Sequence, residues 1–113
     1  MYQAEELKRR SKTFAIRVIN LYRSLPRTEE ARIIGNQVLR SATSVASNYR
    51  AVCRARSRAE FIAKIGTVVE EADETVFWFE LLVEARIVRE RKMQDLLREG
   101  NAIGDLRCVA IHG

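Results

Sequence analysis

Apolar residues recur every three or four positions along most of the chain, which is the spacing of amphipathic helices. A first helix is predicted over residues 4–24, and Pro26 ends it because the residue before a proline avoids the α region. The residues that share its apolar face are Leu7, Ser11, Phe14, Val18, Leu21, Tyr22 and Leu25.

The same spacing predicts a second helix over 28–54 and a third over 58–85. Thr28 is a candidate N-cap for the second helix, and Ser57 with Glu60 forms a Ser-x-x-Glu capping box for the third. The apolar stripe of the second helix is Ile34, Val38, Ala42, Val45, Tyr49 and Cys53. The stripe of the third is Phe61, Ile65, Val68, Val69, Ala72, Val76, Phe79 and Val83.

A fourth helix is predicted over 89–109, with an apolar edge of Met93, Leu96, Leu97, Ile103 and Leu106. Gly100 and Gly104 weaken this segment, since glycine costs about 1 kcal/mol relative to alanine inside a helix. Four helices with short connections predict an all-α fold, an antiparallel up-down-up-down four-helix bundle. We expect residues 1–113 to form this single domain.

Composition fits a soluble helical protein, because 31% of the residues are charged and 47% are hydrophobic. We expect a cytoplasmic protein with no membrane contact, since there is no signal peptide and no apolar run approaches ~18 residues. In a reducing compartment Cys53 and Cys108 are expected to be small hydrophobic core residues.

No reaction centre is evident in the sequence. The single histidine is His112, so neither a cysteine nor a serine has an obvious general base. Glu71 and Glu74 have the spacing of a metal-binding pair but lack the imidazole that a di-metal bundle needs. We therefore expect no enzyme, no cofactor, no metal and no small-molecule substrate. Gly66 is interpreted as a point where another helix approaches closely.

Charge is distributed unevenly along the second and third helices. Residues 32–64 contain seven Arg or Lys and one acid, whereas residues 65–85 contain six acids and no base. Arginine side chains suit phosphate oxygens, so the basic segment is a candidate surface for RNA or DNA. The polar side of the second helix, on which basic residues of this segment lie, lacks the aromatic residues that stack on bases. The candidate nucleic-acid-binding residues are Arg40, Arg50, Arg54, Arg56, Arg58 and Lys64.

A structural role for the same charges is an open alternative. The basic second helix of one subunit would contact the acidic third helix of the next, and repetition of that contact closes a ring. Large apolar residues that project away from the core stripe indicate a second contact surface. The candidate oligomer interface is Phe77, Trp78, Leu81, Glu70 and Glu74. Along the edge of the second helix, Gln37, Ser41, Ser44 and Asn48 are expected to fix helix register through hydrogen bonds.

Three segments carry a resemblance to a known family. Residues 37–48 (QVLRSATSVASN) are similar to its Q-x-x-R-S-x-x-S-I-x-x-N segment, residues 57–65 (SRAEFIAKI) to S-x-x-E/D-F-I-x-K-L/I, and residues 71–82 (EADETVFWFELL) to E-A-x-E-T-x-x-W-L-E-L-L. The family is the small bacterial four-helix-bundle family, also called the 23S rRNA intervening-sequence protein family. The similarity spans about residues 14–97. Many members have a glutamate soon after the motif asparagine, where this chain has Arg50, Ala51 and Val52.

The resemblance implies an antiparallel four-helix bundle that assembles into homopentameric rings. Some relatives are encoded within insertions in 23S rRNA genes, and a distant relative is a basic pentamer that works with a reverse transcriptase and nucleic acid. The resemblance brings no catalytic residues, although Arg40, Ser41 and Asn48 match motif positions. The favoured hypothesis is therefore a non-enzymatic oligomeric bundle associated with nucleic acid. The alternative is a protein-interaction scaffold whose charges serve only ring assembly.

Overall fold

Four α-helices make up the structure, which is a computed structural model and describes residues 4–106. They are α1 (Ala4–Ser24), α2 (Glu29–Val52), α3 (Arg58–Glu84) and α4 (Glu90–Gly104). Residues 4–106 contain no strand, so the predicted all-α fold is confirmed.

The helices lie side by side along one axis. The molecule measures 45 × 19 × 19 Å, and a helix as long as α3 extends about 40 Å at 1.5 Å per residue. Each helix packs against the next in sequence, and α1 also packs against α4. Short connections join consecutive helices; Tyr22 near the end of α1 bonds to Asn36 near the start of α2, and Arg10 near the start of α1 pairs with Glu99 near the end of α4.

Side-chain caps explain where α2 and α3 begin. Thr28 Oγ1 accepts a hydrogen bond from the Ala31 N–H at 3.3 Å, and Ser57 Oγ accepts one from the Glu60 N–H at 3.1 Å. Both predicted N-caps are therefore confirmed. Glu60 Oε1 in turn accepts a hydrogen bond from the backbone N–H of Arg56 at 2.8 Å, so this carboxylate stabilises the N-terminus of α3.

The core lies along the bundle axis and contains most of the predicted apolar residues, but the buried face of α3 differs from the prediction. Phe14 of α1 meets Phe79 of α3 edge to face, with ring centroids 6.1 Å apart. Thr75 and Leu82 are fully buried, whereas Val76 and Val83, which were predicted for this stripe, are half-buried. The buried face of α3 is thus turned further towards α2 than the sequence indicated.

A pair of hydroxyl groups joins α2 and α3 inside the core. Thr75 Oγ1 lies 2.8 Å from Ser41 Oγ, and both side chains are fully buried. Thr75 Oγ1 also lies 2.7 Å from the Glu71 carbonyl, and Ser41 Oγ lies 3.3 Å from the Val38 carbonyl. One hydroxyl can therefore donate to the other while the second donates to its own helix, so neither is left unsatisfied. The register role predicted for Ser41 is supported, whereas Asn48 bonds to Ser44 within α2.

An ion pair joins α1 to α4. Arg10 donates from Nε and Nη2 to the two carboxylate oxygens of Glu99, at 3.0 and 2.8 Å. These hydrogen bonds raise the pKa of Arg10 above its ordinary value and outweigh the lowering that burial causes. The pair is half-buried and bidentate, which is the geometry in which an arginine–carboxylate contact is strongest.

The predictions for Cys53 and for the end of the fourth helix are wrong in the structure. Cys53 is exposed, because it is the C-cap residue of α2 and points away from the core at the turn. The fourth helix ends at Gly104 and not at Val109, since Asp105 is its C-cap and Leu106 lies in a turn. Cys108, Val109 and His112 lie outside the described residues.

Close helix approach occurs at two glycines, but Gly66 is not one of them. A Cβ at Gly35 would lie 2.7 Å from Leu25 Cδ1, and a Cβ at Gly100 would lie 2.8 Å from Val76 Cγ2. A Cβ at Gly66 would meet nothing within 4 Å, so the prediction for Gly66 is wrong within the described chain. Gly66 lies instead on the outer side of α3.

These glycines give a matched test of the packing. Gly66→Ala is expected to raise the free energy of unfolding by about 0.5–1 kcal/mol, because alanine restricts the unfolded chain and favours the helix. Gly100→Ala is expected to lower it, since overpacking costs about 1–3 kcal/mol and exceeds the gain in helix propensity. Urea denaturation of both variants measures the two effects. Shifts in the same direction for both would contradict the packing described here.

Candidate nucleic-acid interface

A basic groove lies where α2 ends and α3 begins. We call it the corner groove; its volume is about 540 Å³. Its lining residues are Ser47, Arg50, Ala51, Arg54, Arg56, Glu60 and Lys64. The turn between the helices places Arg54 and Arg56, the last turn of α2 supplies Arg50, and the second turn of α3 supplies Lys64.

Spacing explains why these side chains face the same groove. Ser47 and Arg50 are three residues apart and lie on one side of the end of α2, and the turn that follows places Arg54 beside them. Lys64 lies on the side of α3 that faces them. The lining therefore combines three guanidinium groups, one ammonium group and one hydroxyl.

The cations of the corner groove are not neutralised within the described part of the chain. No ion pair is formed there by Arg50, Arg54, Arg56 or Lys64. Glu60 is the one acid in the lining, and its carboxylate accepts from the Arg56 backbone at the start of α3. The groove consequently keeps a net positive charge that attracts anions.

A second depression of about 230 Å³ continues this surface towards α1. Arg50 lines both depressions, and the other lining residues of the second are Glu5, Lys8, Arg9, Lys12 and Thr13. Lys8 and Arg9 pair with Glu5 and Glu6 on the same helix, at 3.5 and 3.4 Å. Lys12 makes no such pair among residues 4–106 and adds a further cation. Sequence reasoning missed Lys12 because nothing local shows that the start of α1 lies beside the end of α2.

Arg40 does not belong to this surface. It lies ten residues before Arg50 on α2, about 15 Å along the helix axis. Its guanidinium pairs with Glu74 and lies 3.5 Å from Glu71, both on α3 of the same chain. The predicted basic segment is thus divided: Arg40 is neutralised by carboxylates of α3 at the exposed edge of the helix contact, whereas Arg50, Arg54, Arg56 and Lys64 have no such partner among the described residues. Arg58 is exposed at the start of α3 but does not line the corner groove.

The apolar residues on the outer side of α3 are only partly exposed. Phe77 is 52% exposed and meets the Trp78 ring edge to face, with centroids 4.9 Å apart. Trp78 packs against the core, and its Nε1 donates to Glu74 Oε2 at 3.0 Å. Leu81 is half-buried and Glu70 is exposed. Glu74 therefore binds Arg40 and Trp78 within the chain.

Residues 4–106 contain no cluster of three or more histidine, cysteine, aspartate or glutamate side chains placed to hold a metal ion. None of the helices described has the length and apolar character needed to cross a membrane.

Comparison with known proteins identifies the family. The family model for the 23S rRNA-intervening sequence protein matches residues 4–107. The chain belongs to this family. A solved structure of a protein of unknown function, from the S23 ribosomal protein family of Bacteroides thetaiotaomicron, is 32% identical in sequence. The alignment covers 98% of this chain and 99% of the other, with a TM-score of 0.89. No curated protein matches the chain.

Membership confirms the resemblance carried by the three sequence segments, and the matched region contains both candidate surfaces. It does not assign a role to either surface. Of the six residues predicted to bind nucleic acid, the structure brings four together in the corner groove: Arg50, Arg54, Arg56 and Lys64. Arg40 and Arg58 lie outside it.

Proposed function

We propose that this protein is a non-enzymatic, nucleic-acid-associated accessory protein that binds the sugar–phosphate backbone of structured RNA or DNA in the cytoplasm. The observation that supports the proposal is the corner groove, in which Arg50, Arg54, Arg56 and Lys64 have no carboxylate partner among the described residues. The family membership agrees with this function but does not specify it.

The chemistry of the lining favours backbone contacts over base recognition. Guanidinium forks match phosphate oxygens, and the Ser47 hydroxyl can add a positioning hydrogen bond. The lining has no aromatic side chain on which a base could stack. Binding at this groove would therefore depend on charge and backbone shape, as for proteins that bind duplex RNA across its backbone.

Assembly of the bundle into a homo-oligomer is the second part of the proposal. Phe77 supports it, because this large apolar side chain is 52% exposed on a helix face that no other helix of the described chain covers. A second copy of the chain would bury Phe77 with its neighbours Trp78 and Leu81, and Glu70 would lie at the edge. Five subunits is the number that the resemblance implies.

The scaffold alternative remains a competing function. In that case Arg50 and Arg54 would contact an acidic helix of the neighbouring subunit and no nucleic acid. The structure shows that part of the contact between basic α2 and acidic α3 is made inside one subunit, by Arg40 with Glu71 and Glu74. Fewer charges are then left for an assembly that depends on charge alone.

Salt dependence tests nucleic-acid binding at the corner groove. The triple variant Arg50→Gln, Arg54→Gln, Arg56→Gln should bind a labelled RNA duplex more weakly. Each lost phosphate contact should reduce the slope of log K against log salt by about 0.9. Fluorescence anisotropy across a salt series measures both effects.

The matched control is the triple variant Arg17→Gln, Arg91→Gln, Arg98→Gln, which removes the same charge from exposed positions on α1 and α4. It should retain most of the affinity and the slope. Equal losses in the two triple variants would show that only net charge matters and would contradict the proposed site. A lower oligomer mass of the corner variant, without loss of RNA affinity, would favour the scaffold.

The homo-oligomer is tested at Phe77. Phe77→Lys should lower the mass measured by light scattering while far-UV circular dichroism keeps its helical signal, because the side chain is outside the core. Ile33→Lys is the control, since Ile33 is also 52% exposed but lies on α2. If Phe77→Lys leaves the mass unchanged, the outer surface of α3 does not hold the subunits together.

A further inference from the structure

We infer that a second groove, beside the α1–α2 turn, binds an unpaired nucleotide of an RNA or DNA strand. We call it the turn groove. Its volume is about 790 Å³, and its walls come from the end of α1, the turn and the start of α2.

The turn groove lies at the opposite end of the bundle from the corner groove. The start of α1 is beside Arg50, since Lys8 and Lys12 share a depression with that residue. Helix α1 then continues to Ser24, about 30 Å further along the axis. The bundle is 45 Å long, so the two grooves are near its two ends. The two grooves have no lining residue in common.

Three arginines make the turn groove basic. Arg23, Arg27 and Arg32 line it, all three are exposed, and none forms an ion pair with another described residue. Glu29 is the only acid in the lining, and it lies in the first turn of α2. The charge of the groove is therefore positive, and its arginine forks suit the phosphates that flank a nucleotide.

The turn groove differs from the corner groove in having an aromatic ring. Tyr22 lines it together with Leu25, and the Tyr22 hydroxyl donates to Asn36 Oδ1 at 3.0 Å. This bond ties the end of the side chain to α2, so the ring has a fixed position before any ligand binds. A fixed ring loses little conformational entropy when a base stacks on it.

Gly35 makes this position of the ring possible. A Cβ at residue 35 would lie 3.2 Å from Tyr22 Cδ1 and 2.7 Å from Leu25 Cδ1. Only a residue without a side chain lets both groups lie so close to α2. Tyr22 and Leu25 thus give the turn groove apolar surface in the same lining as its three arginines.

An aromatic ring and three arginines in one groove fit a ligand that carries both a base and phosphates. A base needs a flat apolar surface, and the adjoining phosphates need cations. In a duplex the faces of the bases are covered by their neighbours, so only an unpaired nucleotide can use the ring. The turn groove therefore suits a loop, a bulge or a strand end, whereas the corner groove suits the backbone of a duplex.

The test uses labelled oligo-uridine and an RNA duplex of equal length, measured by fluorescence anisotropy. The background is the full chain with Arg50→Gln, Arg54→Gln and Arg56→Gln, which removes corner-groove binding. Tyr22→Leu should weaken oligo-uridine binding about 5- to 150-fold, as expected for loss of one base–aromatic stack. Tyr22→Phe keeps the ring and should retain most of the affinity. Neither change should alter the salt slope.

The arginines are tested separately, because they are exposed and their replacement does not depend on repacking. Arg23→Gln with Arg27→Gln should reduce the salt slope for oligo-uridine by about 0.7 per lost contact. Two results would overturn the proposal that the turn groove binds a nucleotide. One is an unchanged oligo-uridine affinity in this variant, and the other is an equal affinity in the Tyr22→Leu and Tyr22→Phe variants. A wrong proposal for the corner groove would give a different result. The background protein would still bind the duplex, while its affinity for oligo-uridine would still fall in the Tyr22→Leu variant and in the arginine variant.

Discussion

The contact between α2 and α3 determines what the rest of this bundle presents to its surroundings. Inside the core the hydroxyls of Ser41 and Thr75 lie 2.8 Å apart, and at the edge of the same contact Arg40 pairs with Glu71 and Glu74. A displacement of α2 along α3 would break this buried hydrogen bond, leaving each hydroxyl only the carbonyl of its own helix, and would also separate Arg40 from its carboxylates. The two helices are thereby held at one axial position.

That position divides the basic residues into two groups. Arg40 lies opposite α3 carboxylates and is neutralised, and Trp78 shares one of them through its Nε1. Arg50 and Arg54 lie past the end of that acidic stretch, opposite the start of α3, where Lys64 adds another cation and Glu60 is used as a capping residue. The functional proposal follows from this difference in partners, since the residue type is the same in both groups.

Sequence reasoning predicted the helices, their caps and most of the core, because those features depend on residues close together in the chain. It predicted four of the corner-groove cations for the same reason. It did not predict that Arg40 is neutralised, because its partners are 31 and 34 residues away and their position depends on how two helices pack. Lys12 and the turn groove were missed on similar grounds. The error at Cys53 is different: the apolar stripe was extended one residue too far, to a position where α2 has already ended.

The most direct test of this account compares two single substitutions on the same helix, Arg40→Gln and Arg50→Gln. Both remove one guanidinium, and binding of an RNA duplex is measured across a salt series for each. The account predicts that Arg50→Gln lowers the affinity and reduces the salt slope by about 0.9, the value for one phosphate contact, while Arg40→Gln leaves the slope unchanged. A reduction for Arg40→Gln as large as that for Arg50→Gln would contradict it.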